Sequence, residues 1–598
     1  MILSEEVSVM ADSTAAVGKF AAAVGEIVSA HSSFFSALTD VLRFVFPILA
    51  LLIILGAVRN LLKIPNKPEI WGRVKMPDGT IKNLSNWENI IGRSLKSDIT
   101  LRLATISRQH AALIRREDGA WQLYDLAGKR STLYNGTPIH SKRLVPGDSF
   151  SLGGAEFTLL EAPPSGEIFS SSKARSKAKT HAPFGAFLLL TLFQFLTVVQ
   201  LFAAAGASAS PKLLFLFPGL TAVMWIYFAL MCCFRCNGFE MEEIAFWLST
   251  LSLAVTGSSY PASMPKQFIC IVAGIVFMLI LEIFMRDLER VKKLRWVAAA
   301  LTVGCLLFTI VFGTSKHGAT AWVTLAGFSF QPSELAKVFY IFAGSATLDR
   351  LFVKRNFGMF IVLTLLVLGC LALMNDFGTA LIFFVVFLVI IFLRSGDYTS
   401  LMLICGAAGF GGVLLVKFKS HIVSRFAAWG KVWEYPSSLG YQQTRAMSAA
   451  ASGGLVGKGA GNGWLKDIFA GDTDLVFGML CEEWGLIIAL LAVLSVVVLC
   501  VFAVRASKNS RSSYYTITAC AATSLLVFGM ILNVFGTVDL LPLTGVTFPF
   551  VSNGGSSMIS CWGLLAFLKS TDARPNSSIA TGLYESYFAK SKKTGGKT

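Results

Sequence analysis

Four carboxylates open one of the most apolar stretches of this chain. GDTDLVFGMLCEEWGLIIALLAVLSVVVLC, Gly471 to Cys500, begins with Asp472, Asp474, Glu482 and Glu483, and acids at a membrane boundary cost desolvation free energy unless something uses them. A partly desolvated carboxylate is suited to accepting a proton. Gln331, Glu334 and Lys337 follow at three-residue spacing, which places them on one helical face where Glu334 and Lys337 can pair. Such a pair either holds helices together or lines a polar cavity. Cations gather in the Gly-rich stretch 417–474, at Arg425, Lys431, Arg445, Lys458 and Lys466. Its segment SGGLVGKGAGNGW can bring N–H groups and Lys458 to a phosphate, although it lacks the spacing of a nucleotide P-loop; flexibility is its plainer reading. PFVSNGGSS, with Ser552 and Ser556, breaks regular backbone at the start of the last apolar segment, as happens beside a cavity.

The elements that must position these groups are membrane helices. The 598 residues are 54% hydrophobic and 15% charged, and the mean hydropathy of +0.64 exceeds what a soluble core needs. About thirteen segments approach spanning length by the thickness of a bilayer: 43–62, 184–206, 212–233, 241–256, 268–286, 295–313, 335–348, 357–374, 377–394, 399–416, 475–503, 514–536 and 553–569. The expected fold class is therefore mostly α, a polytopic helical membrane protein. RDLERVKKLR, DRLFVKRN, VRASKNSR and AKSKKTGGK are rich in Lys and Arg, which assigns those loops and the C-terminal tail to the cytoplasm and 257–267, 314–334, 417–474 and 537–552 to the outside. The acidic residues 1–42 also fall outside, and the segment within 43–65 reads as a retained anchor, since no basic n-region precedes it.

The net charge of +17 reflects this topology and attraction to membrane lipids. Nucleic-acid binding is excluded as the main reading, since no basic patch is interleaved with stacking aromatics. The eleven Cys lie in or beside apolar segments and read as small buried hydrophobes; none forms a metal-ligand pattern.

Residues 66–162 differ: short alternating strands such as AALIRR and WQLYDL are separated by DG, GK, NG and PG turns, the signature of a small all-β domain. A basic linker, 163–183, returns the chain to the membrane, followed by two extra helices in 184–240. IGRSLKSDITLRLATISRQHAALI resembles the forkhead-associated (FHA) domain, a β-sandwich with GR and SRxH on successive strands. The resemblance implies that Arg93, Ser107 and Arg108 bind a phosphothreonine and that His110 braces the loop. The family's D-L-G-S-T-N-G-T is DLAGKRST here, which puts Lys129 and Arg130 where a Thr and an Asn normally grip the peptide. Arg130 keeps attraction for the phosphate. Docking without phosphate dependence is the alternative.

From 241 to 572, GATAWVTLAGFSFQPSELAK, NDFGTALIFF, GYQQTRAMSAAASGGLVGKGAGNG, DTDLVFGMLCEEWG and LPLTGVTFPFVSNGGSS occur in the order found in the SEDS family of RodA and FtsW. This resemblance covers ten of the expected helices and implies a glycosyltransferase that polymerises lipid II into peptidoglycan strands outside the membrane, alongside a class B penicillin-binding protein. Asp474 matches the family's essential Asp and would be the catalytic base. Trp322, which by itself reads as an interfacial anchor, would border the substrate cavity with Gln331, Glu334, Lys337, Arg425, Lys458, Ser552 and Ser556. Ala321 stands where the family usually has an Arg. Asp472 would assist Asp474, hold a divalent cation (Mg or Mn) or be a solvated loop acid; no other cofactor is implied. Glu482 and Glu483 read as polar packing or cavity lining, and Asp376 as a helix cap. A lipid-precursor flippase, in which Asp474 is dispensable, and a non-catalytic FHA scaffold are the competing functions. The motifs do not separate elongation, division and sporulation.

Overall fold

The computed structural model describes residues 23, 30–62, 70–94, 97–116, 119–127, 132–162, 183–316, 319–325, 328–347, 354–395, 398–418, 423, 426–507, 510, 512–572 and 578–579. Most of the expected N-terminal segment, nearly all of the linker 163–183 and most of the tail 573–598 lie outside them.

The β-rich island is a two-sheet sandwich. Its strands are β1 (Gly72–Lys75), β2 (Ile81–Leu84), β3 (Glu88–Gly92), β4 (Ile99–Thr100), β5 (Ala111–Arg115), β6 (Trp121–Asp125), β7 (Thr132–Tyr134), β8 (Thr137–Pro138), β9 (Ser141–Leu144), β10 (Ser149–Leu152) and β11 (Ala155–Leu160). One sheet runs β2-β1-β11-β10-β7-β8 and the other β4-β3-β5-β6-β9. Strand alternation produces the core directly: in β11, Ala155, Phe157 and Leu159 point inward against Val74, Leu113, Leu123 and Phe150. The turns follow sequence chemistry. Asp78 accepts bonds from the Thr80 N–H (2.9 Å) and hydroxyl (2.6 Å), which holds its carboxyl below the usual carboxylate range. Asn135 and Gly136 both have positive φ, 50° and 76°, as a two-residue hairpin between β7 and β8 requires.

The helices are α1 (Ser32–Leu62), α2 (Phe184–Ala205), α3 (Leu213–Cys233), α4 (Glu240–Ser259), α5 (Met264–Met285), α6 (Leu288–Phe312), α7 (Pro332–Thr347), α8 (Lys354–Leu373), α9 (Phe377–Ser395), α10 (Tyr398–Phe418), α11 (Tyr441–Gly453), α12 (Val476–Ser507), α13 (Ser513–Thr537) and α14 (Gly555–Thr571), besides short 3-10 turns. Every expected apolar segment has its helix. Among the described residues, nine helices are by length and composition long and apolar enough to cross a membrane. α4 and α7 fall short of that criterion because they are shorter or more polar, and both are buried along nearly their whole length inside the bundle. The interior of the bundle is lined by α14 against α5, α7 and α13, and by α12 against α11 and α13; α1 and α2 lie against α4, with α1 also on α12.

Three features depart from the sequence expectation. The stretch 314–330 holds a small sheet, β12 (Thr314–Lys316), β13 (Ala319–Leu325) and β14 (Phe328–Phe330), in that order. The long stretch 417–474 contains α11. α12 is also broken at Gly485 (φ 88°), because the chain after α11 turns back alongside it. A Cβ at Gly485 would lie 2.4 Å from the Leu455 carbonyl oxygen, so this approach requires glycine. Backbone bonds stitch the two segments together: Lys458 N–H to Glu482 O, Gly459 N–H to Glu483 O and Leu486 N–H to Gly454 O, at 2.9, 2.9 and 3.0 Å.

The sandwich is fastened to the bundle. Glu88, at the start of β3, is buried (3% exposed) and accepts the hydroxyls of Ser512 (3.1 Å) and Ser513 (2.9 Å) at the start of α13. The Lys292 ammonium of α6 lies 3.7 Å from its other oxygen.

Candidate functional site

The loop leading into α12 is held from three sides. Asp472 Oδ2 accepts the Ser259 hydroxyl at the end of α4 (2.9 Å) and the Asn553 amide ahead of α14 (2.8 Å), while the Asn553 N–H donates to the Asp472 carbonyl (2.9 Å). Asp472 is thus a tie between helices and not a solvated acid. The next two carbonyls are also gripped. Ser552 Oγ donates to Thr473 O (2.7 Å), and the Asn533 amide of α13 donates to Asp474 O (3.0 Å) and to Val546 O (2.9 Å). With its backbone pinned, Asp474 is half-buried at the mouth of α12. Its Oδ2 lies 3.5 Å from where a Cβ on Gly545 would stand, which places the backbone of Gly545 beside the carboxylate.

Asn533 was missed by sequence reasoning. The available signal was a lone amide in the apolar run SLLVFGMILNVFG, since a buried amide persists where it is hydrogen-bonded.

The second half of the site is joined to the first through the PFVSNGGSS segment. Ser552 Oγ accepts the Phe548 N–H (2.9 Å) as well as donating to Thr473 O. Four residues on, Ser556 Oγ accepts the Gln331 N–H (3.2 Å), and the Gln331 side-chain amide reaches Asp376 Oδ2 (3.2 Å). Asp376 Oδ1 accepts the Thr379 N–H (3.1 Å), so it caps α9 as expected and also orients Gln331. Lys337 donates to Glu334 Oε1 at 2.5 Å, with both side chains buried. Trp322 lies half-buried on β13, and its carbonyl accepts the Thr314 hydroxyl (3.1 Å). Two hydrogen-bonded clusters, one around Asp472, Asn533 and Ser552 and one around Ser556, Gln331 and Asp376, are therefore joined through the backbone of 552–556, with the Glu334–Lys337 pair at the start of α7.

Glu482 and Glu483 serve the returning chain. Glu482 accepts the Trp464 N–H (3.1 Å), the Leu465 N–H (2.9 Å) and the Lys458 ammonium (2.9 Å). Glu483 accepts the Ser258 hydroxyl (2.5 Å) and the Gly461 N–H (3.1 Å). These carboxylates cage the loop that follows α11, and Lys458 is committed to that cage. Arg445 of α11 is exposed, its guanidinium 5.3 Å from the Tyr441 ring. Arg425 lies outside the described residues.

The described His, Cys, Asp and Glu side chains form no group of three or more placed to hold a metal ion.

In the sandwich, the Arg93 N–H donates to Ser107 O (2.9 Å) and the Ser94 N–H to Arg108 O (3.1 Å), which brings the two loops side by side. Gly92 is required there, because a Cβ would stand 2.3 Å from the Arg108 carbonyl oxygen. Fully buried His110 accepts the Ser107 N–H on Nδ1 (3.2 Å), bracing the turn. Arg93 and Arg108 are exposed and Ser107 is half-buried, on the same rim. Two cations and a hydroxyl so arranged can bind a dianionic phosphate. Lys129 and Arg130 lie outside the described residues.

A sequence model of the FtsW/RodA/SpoVE family, described as cell cycle protein, matches residues 244–576, and a model of the FHA domain matches 89–153. The chain is 29% identical over 312 residues to a probable peptidoglycan glycosyltransferase FtsW of Wigglesworthia glossinidia brevipalpis, covering 50% of this chain and 80% of that one. It is 26% identical over 328 residues to a peptidoglycan glycosyltransferase RodA of Mycobacterium bovis, covering 51% and 69%. A solved peptidoglycan synthase complex aligns with a TM-score of 0.47 at 25% identity, over 55% of this chain and 96% of that one.

Proposed function

The chain belongs to the FtsW/RodA/SpoVE family, and from that premise we propose that it is a peptidoglycan glycosyltransferase which polymerises lipid II at the outer face of the bacterial cytoplasmic membrane. The observation that carries this reading is Asp474: a half-buried carboxylate at the mouth of α12, with its backbone pinned by Asn533 and Gly545 beside it. In the proposed step, an acceptor sugar hydroxyl attacks the anomeric carbon of a diphosphate-linked sugar. Asp474 takes the hydroxyl proton, the new C–O bond forms, and the bond to the diphosphate breaks with its electron pair leaving on oxygen. Gln331, the Glu334–Lys337 pair, Trp322, Ser552 and Ser556 shape the cavity around that reaction, and Arg425 and Arg445 supply cations from the outer loop. Lys458 acts indirectly by holding the loop on Glu482.

The FHA domain serves regulation or docking, and we take its partner to be a threonine-phosphorylated protein bound at Arg93, Ser107, Arg108 and Arg130. We take a class B penicillin-binding protein, which would carry out cross-linking, as a second partner, as the family resemblance implies. The FHA domain and the C-terminal tail are assigned to the cytoplasm by the Lys/Arg bias. A Cys placed at exposed Ser437 should then react with an impermeant reagent applied from outside.

The decisive experiment gives the purified protein lipid II, with and without a penicillin-binding partner, and scores glycan strands. Movement of lipid II across vesicle membranes without strand formation would favour the flippase instead.

A further inference from the structure

α1, α2 and α3 precede the family-matched residues 244–576, yet α1 and α2 pack on that core where α12 breaks. Phe46 of α1, Phe193 of α2 and Trp484 of α12, the residue before Gly485, form an aromatic trio with ring centroids 5.1, 5.0 and 5.8 Å apart. Beside it, the loop that follows α11 runs against the same two helices. A Cβ at Gly459 (φ 94°) would stand 2.7 Å from the Thr39 methyl of α1 and 2.8 Å from the Gln200 amide nitrogen of α2. One at Gly461 (φ 90°) would stand 2.7 Å from the Cβ of Ala204. Glycine at both positions therefore serves this contact as well as the backbone angle.

Gln200 makes the polar part of the contact. Fully buried, it donates its amide N–H to the Ala460 carbonyl at 3.3 Å. Gln194 on the same helix is satisfied at both ends, donating to Thr250 Oγ1 (3.1 Å) and accepting the Thr221 hydroxyl (2.7 Å), whereas Gln200 Oε1 has no hydrogen-bond partner among the described residues. With Arg43, Phe46, Ala460, Glu483 and Trp484, Gln200 lines a cavity that has room for about one water molecule. Two more of these side chains carry buried polar atoms with no partner among the described residues, Arg43 at Nε and Trp484 at Nε1. Two N–H donors and one amide oxygen around such a space suit a single bridging water, which makes about three hydrogen bonds when buried.

The loop so held leads to the reacting end of the bundle. The Gly461 N–H donates to Glu483, Glu483 accepts the Ser258 hydroxyl, and the neighbouring Ser259 hydroxyl binds Asp472, two residues before Asp474. We propose that Gln200 and Arg43 are positioning residues for the glycosyl transfer: α1 and α2 brace the loop after α11 from behind, Gln200 directly through Ala460 and Arg43 through one water shared in the cavity. The brace rests on the glycosyltransferase reading for its effect on rate. A loop released from it keeps the groups that bind substrate but spends less time with Asp472 and Asp474 in register, so turnover falls and KM does not.

The test uses the full-length protein in detergent and follows hydrogen exchange at 458–461, where the Lys458, Gly459 and Gly461 amides are all bonded to α12. Gln200→Met keeps the size and removes the amide, and it should speed that exchange about two- to tenfold, the worth of one neutral hydrogen bond. The kcat of strand formation should fall by a similar factor with KM unchanged. Arg43→Met should speed the same exchange less. In a Glu483→Gln background, Gln200→Met should add little further, because the brace acts through that carboxylate. Unchanged exchange in Gln200→Met would overturn the brace, and in Arg43→Met its water-mediated half. Full additivity with Glu483→Gln would overturn the route to Asp472. A lower melting temperature with kcat unchanged would make the contact structural and end the positioning role; Gln200→Leu is read the same way if the Met variant is not monodisperse. The two readings fail separately. Wild type that makes no strands, beside a Gln200→Met protein with faster exchange, removes the polymerase and leaves the brace. Wild type that makes strands, beside a Gln200→Met protein with unchanged exchange and kcat, removes only the brace.

Discussion

The sandwich and the bundle each carry a candidate site, and they build it by opposite means. In the sandwich the working groups stand on exposed loops: Arg93 and Arg108 face solvent, and the framework contributes a buried His110 and a glycine that lets two loops touch. In the bundle the working groups sit half-buried among helix ends, and their positions depend on long-range bonds such as Asn533 to Asp474 O and Gln331 to Asp376. A loop site tolerates loss of one member with a graded effect. A site made of interlocked buried polar groups fails more sharply, because every unsatisfied partner also costs free energy. Five substitutions, in order of falling effect, sharpen or break this contrast.

The largest effect is expected at Asp474. Asp474→Asn is nearly isosteric and leaves the Asn533 bond to the backbone intact, yet it cannot take a proton at neutral pH. Strand formation should fall about a hundred- to ten-thousandfold, the usual worth of a general base, with the folded yield unchanged. Asp472→Asn should cost less in rate and more in stability, since its carboxylate ties α4 to the segment before α14. Lipid II consumption by monodisperse variants measures both, and an active Asp474→Asn protein would end the catalytic assignment.

Next comes the seam between α12 and the returning loop. Glu482→Gln leaves Lys458 and two backbone N–H groups sharing one neutral acceptor. A loss of about 1–3 kcal/mol is expected from such under-satisfied buried donors, read as a lower melting temperature in detergent. If Glu482→Gln instead abolished strand formation with no change in melting, Glu482 would belong to the chemistry and the contrast between the two acid pairs would collapse.

In the sandwich, Arg93→Ala should weaken binding of a threonine-phosphorylated peptide about tenfold, the order of one charge-assisted bond, without altering strand formation by the core. Equal affinity of wild type for phosphorylated and unphosphorylated peptide would reduce the domain to phosphate-independent docking.

The same contrast explains what was legible in the sequence. GR and SRxH fixed the sandwich loops because their partners lie within about twenty residues and strand alternation declares the core. Helix positions were equally plain from the apolar runs, and α7 begins at Pro332, where a proline favours the first helical turn. The break at Gly485 was hidden, because it depends on Leu455 arriving thirty residues away in the chain. Gln200 was hidden too: its place in an apolar run predicts a hydrogen bond, but not that the partner, Ala460, comes from beyond α11. Glu482 and Glu483 were recognised as polar packing, but no local pattern could say that the chain they hold is the segment following α11.

The smallest effect is expected where the two regions meet. Glu88 comes from the sandwich, yet it accepts hydroxyls from Ser512 and Ser513 at the start of α13, where Ser512 Oγ also accepts the Tyr514 N–H. A carboxylate at a helix N-terminus stabilises it by about 0.3–1 kcal/mol, and Lys292 adds a weak, half-exposed pairing at 3.7 Å. β3 carries this contact at one end and leads into Arg93 at the other, so the strand is a stiff link from the phosphate rim to α13, the helix that also holds Asn533. Glu88→Ala should leave both sites nearly intact when each is assayed separately, while speeding hydrogen exchange at the start of α13 a few-fold, as expected for a loss of about 1 kcal/mol. Phosphopeptide should slow that exchange in wild type and have no effect on it in Glu88→Ala. Exchange at 512–516 that is the same in both proteins, with and without peptide, would mean that the sandwich and the bundle touch at Glu88 without being coupled.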